Sequence, residues 1–209
     1  EPLEETTTAS ATSTAADVQS FQYPADGSIV SLGRSRAVVS AQPGEAAASQ
    51  SFAEANVLSL FGGDVTAGQV TASVTAGASV RSAGFDVSAS AVRGLRVLEQ
   101  DVGASPGSTA SVADWGTISV LSQDTGSRRA PPGAQSLVVA LRLRLTLEHA
   151  GLPAGTEIVV GSAQAVAVAK LPAALPPGQG RPQPTEPSGP SFPTAPEPDT
   201  AGENVPGGP

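Results

Sequence analysis

In the stretch LVVALRLRLTLE, residues 137–148, Leu137, Val139, Leu141, Leu143, Leu145 and Leu147 alternate with Val138, Ala140, Arg142, Arg144, Thr146 and Glu148. A period of two held this long belongs to a strand with one buried face, because successive side chains of an extended chain point to opposite sides. Wound as a helix, the same leucines would be spread around the cylinder with no single apolar stripe. At about 1.5–3 kcal/mol for each Leu or Val fully buried, the odd-numbered face predicts a core strand that anchors one sheet of a two-layer fold.

The rest of the chain has the same texture. Residues 28–40 read as one long strand or as two short ones bent at Gly33, and Gln42-Pro43-Gly44 ends them. Residues 50–61 and 65–76 flank Gly62-Gly63-Asp64, a hairpin signal. Further strands are expected over 79–91 with a bulge at Gly84, over 95–98, over 115–121 and over 156–169. Residues 103–111 and 124–135 read as polar loops. Glycines and prolines number 23 and 19 in 209 residues, which favours turns over long helices. The expectation is an all-β fold, an antiparallel two-sheet β-sandwich of about eight strands. Its core should be thin and aliphatic, since aromatic residues are only 3% of the chain.

Two strands resemble each other. GSIVSLGRSRAVVSA (27–41) and GTEIVVGSAQAVAVA (155–169) align on Gly33 with Gly161 and on the Ala/Val run that follows. Either the two occupy symmetric corners of the sandwich, or the match is coincidence in an Ala/Val-rich chain.

Composition divides the chain in three. Residues 1–16 are Thr, Ser and Ala with three acids, too little apolar surface to offset ordering entropy, and so read as a flexible arm. Residues 17–170 form the sandwich domain. Residues 171–209 hold 12 of the 19 prolines and read as a Pro/Gly-rich linker or stalk. The three segments carry formal charges of −3, −2 and −3. The arm would suit O-glycans on its Thr and Ser, or serve as a plain solvated leader. A first residue Glu1 with no Met anywhere is expected of an exported chain whose signal peptide has been removed, or of a shortened one. No run of 18 apolar residues is present to cross a membrane as a helix.

Three ordered segments carry a family likeness: NVLSLFGGDVTAGQVTASVTA (56–76), LRVLEQDV (95–102) leading to WGTISVLSQ (115–123), and HAGLPAGTEIVVGSAQA (149–165). Their order and spacing resemble the actinobacterial choice-of-anchor P surface proteins, over roughly residues 27–168. The resemblance implies a secreted β-rich domain associated with the cell envelope, followed by a variable anchoring region. It implies no catalytic or binding residue. The Pro-rich end departs from the pattern, having no membrane helix or sorting motif in view.

Chemistry is sparse. Without cysteine there is no disulfide, thiolate nucleophile or Cys-ligated metal. His149, the only histidine, precedes a Gly-Leu-Pro turn and reads as a solvent-facing turn residue; a catalytic triad would need a sharp serine elbow, and no G-x-S-x-G occurs. Asp64, Asp86, Asp101, Asp114 and Asp124 lie near turns and read as solvated acids, with a hard cation such as Ca²⁺ as the other reading. No cofactor is expected. Nucleic acid is not an expected partner at a net charge of −8.

The expected function is therefore non-enzymatic: an extracellular or cell-surface structural protein that assembles with other copies of itself. Val18, Phe21 and Tyr23 are the candidate subunit-contact strand, adding to the sheet edge of a neighbour or else pairing within their own domain. The alternative is a monomeric adhesin or ligand-binding module on the Pro-rich stalk, recognising its target through Arg128 and Arg129.

Overall fold

Alternating aliphatic segments joined by Gly, Pro and Asp turns have to pair side by side, and the computed structural model, which describes residues 11–170, pairs them into two antiparallel sheets. Residues 1–10 of the expected arm and the expected stalk, 171–209, lie outside the described residues. Sheet A takes β1 (Thr12–Val18), β2 (Phe21–Tyr23), β3 (Val30–Leu32), β4 (Ser35–Gln42), β5 (Ala47–Leu60), β6 (Val65–Ala78), β7 (Ala83–Asp86), β8 (Ala91–Arg93), β9 (Arg96–Val97) and β10 (Gln100–Asp101). Sheet B takes β11 (Thr109–Val112), β12 (Gly116–Arg129), β13 (Pro132–Leu145) and β14 (Glu157–Val168) in that lateral order. The fold is the expected all-β sandwich. It has more strands than eight because several outer ones are broken.

The breaks fall on a crease that crosses both sheets. In sheet A it runs through Gly33 between β3 and β4, Val57 in β5 (φ 54°), Gly68 in β6, and Gly94 between β8 and β9 (φ 63°). In sheet B it runs through Leu121 in β12 (φ 49°), Ala140 in β13 and Gly161 in β14 (φ 70°). A residue in the left-handed region rotates the strand beyond it, and β6 and β13, which hold no such residue, turn with the strands beside them, so the alternation slips by one without a change of register. In β6, Val65 and Ala67 face the core before the crease, and Val70, Ala72 and Val74 after it. The two glycines aligned in the internal repeat, Gly33 and Gly161, both lie on this crease.

The crease corrects the reading of the leucine strand. Leu141, Leu143 and Leu145 belong to the core, but the residues that join them there are Val138 and Ala140. Leu137 and Val139 lie on the opposite face, paired with Gln164 and Ser162 of β14. Leu147 falls beyond the end of β13 and is 52% exposed. A strict period of two missed this because Ala140 and Leu141 both face inward.

Three other expectations change. Residues 12–16 are not part of an arm but form most of β1, which pairs with β4 from Thr12↔Ala41 to Val18↔Ser35. Residues 124–135 are not a loop: β12 and β13 continue as a long hairpin out to Arg129↔Pro132. Residues 79–91 are not one strand, since Asp86 turns the chain by accepting a hydrogen bond from the Ser88 backbone N–H at 2.8 Å.

The sheets meet face to face with β14 over β5 and β6, and β13 over β6. Val70, Val74, Leu58 and Leu60 from sheet A share the core with Ile118, Val138, Leu141 and Leu143 from sheet B. Rows of alanine, Ala72 and Ala76 against Ala163, Ala165 and Ala167, keep part of the layer thin. At one end Phe61 and Trp115 close the core, their rings edge-to-face at 5.0 Å between centroids.

Candidate assembly face

Where sheet A outruns sheet B, a row of side chains shows it. Val74, Ser51, Val39 and Thr14 are paired in turn across β6, β5, β4 and β1, so all four point to the same side of the sheet. Val74 is 0% exposed and Ser51 7%, but Val39 is 53% exposed. Thr14 is exposed as well. The core-facing side therefore stops being covered between β5 and β4, because sheet B ends at β14.

The neighbouring rows repeat the pattern. Ala53, paired with the buried Ala72, passes to the exposed Ala37 and Ala16; Ala55 passes to Ser35 and to Val18, which is half-exposed. Beyond the crease, Val30 of β3 pairs with Tyr23 and Leu32 with Phe21, and both aromatic rings are about half-exposed on the same side. Phe21, Tyr23, Val18 and Val39 thus form an apolar margin on sheet A.

This placement decides what Val18, Phe21 and Tyr23 do within one copy. Val18 is the last residue of β1 and pairs with Ser35, while Phe21 and Tyr23 pair with β3. Each is paired inside the domain along one edge of its strand, and the side chains remain outward. Asp17 pins the end of β1: its carboxylate accepts from Arg34 at 2.6 Å through Nη2 and at 3.2 Å through Nε. That hydrogen bond, with the Arg34 charge, holds the Asp17 carboxyl below the ordinary carboxylate range and raises the guanidinium of Arg34.

The facing margin of sheet B is β14. Among the described residues β14 pairs with β13 alone, which leaves its other edge without a strand. The Ser49 hydroxyl of β5 donates to the Val166 carbonyl at 2.8 Å, so this edge lies directly above β5. Between it and β4 is a trough floored by Ser49, Ser51, Ala53 and Ala55, all small. A hollow of about 200 Å³ occupies the half of it between Ala53 and Ala55 on one side and Gly161 and Ser162 on the other. Among the described residues no strand occupies the position beside β14. Sequence reasoning missed it, because Ala37, Val39 and Ala41 alternate like any core strand and nothing local says that the opposite layer is one strand too narrow.

Arg128 and Arg129 end β12 at the same end of the molecule as the last residues of β14. The Arg128 side chain lies across Gly133, where an added Cβ would sit 3.1 Å from its Nε, and heads toward Val168 beside a shallow hollow of about 330 Å³. Neither arginine has a salt-bridge partner among the described residues. The Arg142/Arg144 stripe differs: both approach Glu157 of β14, at 3.9 and 4.0 Å.

His149 is not the solvent-facing turn residue expected from the sequence, since its side chain is only 30% exposed. It lies flat on Trp115, contacts Phe61 edge-on, and approaches Asp64 at 3.9 Å. Asp64, Asp86, Asp101, Asp114 and Asp124 do not converge, and no group of three metal-ligating side chains occurs among the described residues. No family model, curated protein or solved structure matches this chain.

Proposed function

We propose that this chain is a non-enzymatic structural protein of the extracellular surface, whose copies join by strand addition into filaments. The observation that carries the reading is the uncovered core-side margin of sheet A beside the unpaired edge of β14. Main-chain hydrogen bonding along an open edge supplies affinity, and an apolar row beneath it supplies fit. A strand contributed by one copy to another makes a head-to-tail contact that need not close, and such contacts propagate into fibres. Export and association with the cell envelope follow from the resemblance to choice-of-anchor P proteins. A Pro-rich stalk suits the same setting.

The test is sedimentation velocity of the purified full chain over a wide concentration range, with electron microscopy of the concentrated sample. Concentration-dependent mass and filaments support the proposal. A single-chain mass throughout overturns it.

A second reading, a surface adhesin, is favoured by the hollow beside Arg128. It requires saturable binding of an acidic glycan or protein that is lost on changing Arg128 and Arg129.

A further inference from the structure

We propose that the position beside β14 is filled by residues 5–10 of a second copy, running antiparallel to β14. This rests on the strand-addition reading above and names its donor, its acceptor and their register.

The acceptor requires a strand with an unbroken row of main-chain donors and small side chains on its inner face, since the trough floor is Ser49, Ser51, Ala53 and Ala55. The ends of the chain outside the described residues offer few choices. The 171–209 tail is interrupted by 12 prolines, none of which can donate to a ladder. Residues 3–10, LEETTTAS, contain no proline or glycine and carry three consecutive threonines, a residue type enriched in strands. At about 3.3 Å per residue, six of them span roughly 20 Å, the length of an ordinary strand.

The direction and register follow from charge. Glu4 and Glu5 cannot be turned inward over the trough without losing hydration. Setting Glu5 opposite Val168 in an antiparallel pair places it on the outer face of sheet B, where Arg128 lies without a salt-bridge partner among the described residues. Glu4 then falls past the end of the strand. Thr6, Thr8 and Ser10 come opposite Ala167, Ala165 and Ala163, facing inward over Ser49, Ser51 and Val39, and Thr7 and Ala9 face out. Register is fixed in this way wherever one face is covered.

The donor belongs to a second copy. Thr12 begins β1 beside Ala41, with β1 on the far side of β4 from β5. To return over its own β14 the chain would have to reverse at Ser10-Ala11, where there is no Gly, Pro, Asn or Asp to make the turn. Passing into a neighbour requires no reversal.

Because the chain has no cysteine, single cysteines report neighbours directly. Full-length chains carrying Ala9→Cys are mixed with full-length chains carrying Gln164→Cys under mild oxidation. The expected product is a covalent heterodimer, and a mixture of Ala9→Cys with Ala15→Cys, on the outer edge strand of sheet A, should give at least about tenfold less. As a second measurement, Thr7→Pro removes the main-chain donor that this register sets opposite Val166, whose carbonyl faces the open edge. It should leave the melting temperature unchanged and weaken association at least about tenfold. Preferential cross-linking to Ala15→Cys, disulfide formation only within a chain carrying both Ala9→Cys and Gln164→Cys, or unimpaired association of Thr7→Pro each overturns the proposal. Association without the Ala9–Gln164 cross-link refutes this donor while leaving strand addition standing. A single-chain mass for the unaltered protein refutes both.

Discussion

The imidazole of His149 lies parallel to the indole of Trp115, with ring centroids 3.8 Å apart and planes 2° from parallel. Trp115 precedes β12 and His149 follows β13, while Phe61, edge-on to both, comes from the turn after β5. The stack therefore links the two sheets at one end of the sandwich. Trp115 is also the only tryptophan.

Its fluorescence should report that end alone. His149→Ala removes the lid from the indole, and we expect a red-shifted emission maximum together with a loss of about 0.5–1.5 kcal/mol of stability, the worth of a stacked aromatic pair. Emission spectra and urea titration check both. An unchanged spectrum would mean that the ring is not covered by His149.

Gly161 is required by its conformation and by its surroundings. At φ 70° it occupies the left-handed region, and an added Cβ would come within 3.1 Å of Val70 Cγ1 and 3.3 Å of Ala140 Cβ. Gly161→Val should cost about 1–3 kcal/mol or more, from overpacking and a strained backbone together. Gly84→Ala, with nothing within 4 Å and no positive φ, is the control and should be near neutral. Thermal melting of the two variants measures the difference.

The same crease explains how much of the fold was legible in the sequence. Strands, turns and the two-layer class follow from period-two alternation, because alternation is a property of each strand by itself. Leu147 was misplaced because β13 ends at Leu145, and Leu137 and Val139 because the inward face of β13 switches at Ala140, opposite Leu121 and Gly161, which adopt positive φ. Leu121 and Val57 do so without being glycine. The width of one sheet relative to the other leaves no local signature at all, so the uncovered Val39 could not be told from a core valine. Arg128 and Arg129 looked like loop residues because polar strands at a sheet margin have the composition of loops.

Leu141 and Leu147 separate the two readings of the leucine strand. Leu141 is 0% exposed in the core and Leu147 is half-exposed beyond the strand. Leu141→Ala should cost about 2–5 kcal/mol through lost burial and a residual cavity. Leu147→Ala should stay within about 0.5 kcal/mol. Equal losses in urea titration would restore the single-face reading.

Acid should loosen β1 before the core. The folded-state pKa of Asp17 is lowered by its hydrogen bonds to Arg34, so its contribution is fully present above the ordinary aspartate value of 3.8 and is lost as pH falls through the lowered value. Hydrogen exchange at β1 amides should therefore accelerate on acidification below that range, relative to the amides of β13. In Asp17→Asn the β1 amides should exchange faster at neutral pH and lose most of that acid dependence. Parallel behaviour of β1 and β13 across pH would show that the Asp17–Arg34 pair is not what holds the strand.

Val39 gives the cleanest separation of folding from assembly. It points to the core side of sheet A, yet 53% of it is exposed, so its contribution to the stability of one copy is small. Val39→Glu should leave the melting temperature of the dilute protein unchanged, since an exposed substitution rarely costs more than about 0.5 kcal/mol. In an assembly that places a strand over it, the carboxylate would be buried without a partner, which costs far more than the lost valine contact. Sedimentation should then show single chains at concentrations where the unaltered protein associates. Assembly that tolerates the Val39→Glu substitution would mean that copies meet through some other surface, and the uncovered margin of sheet A would need a different explanation.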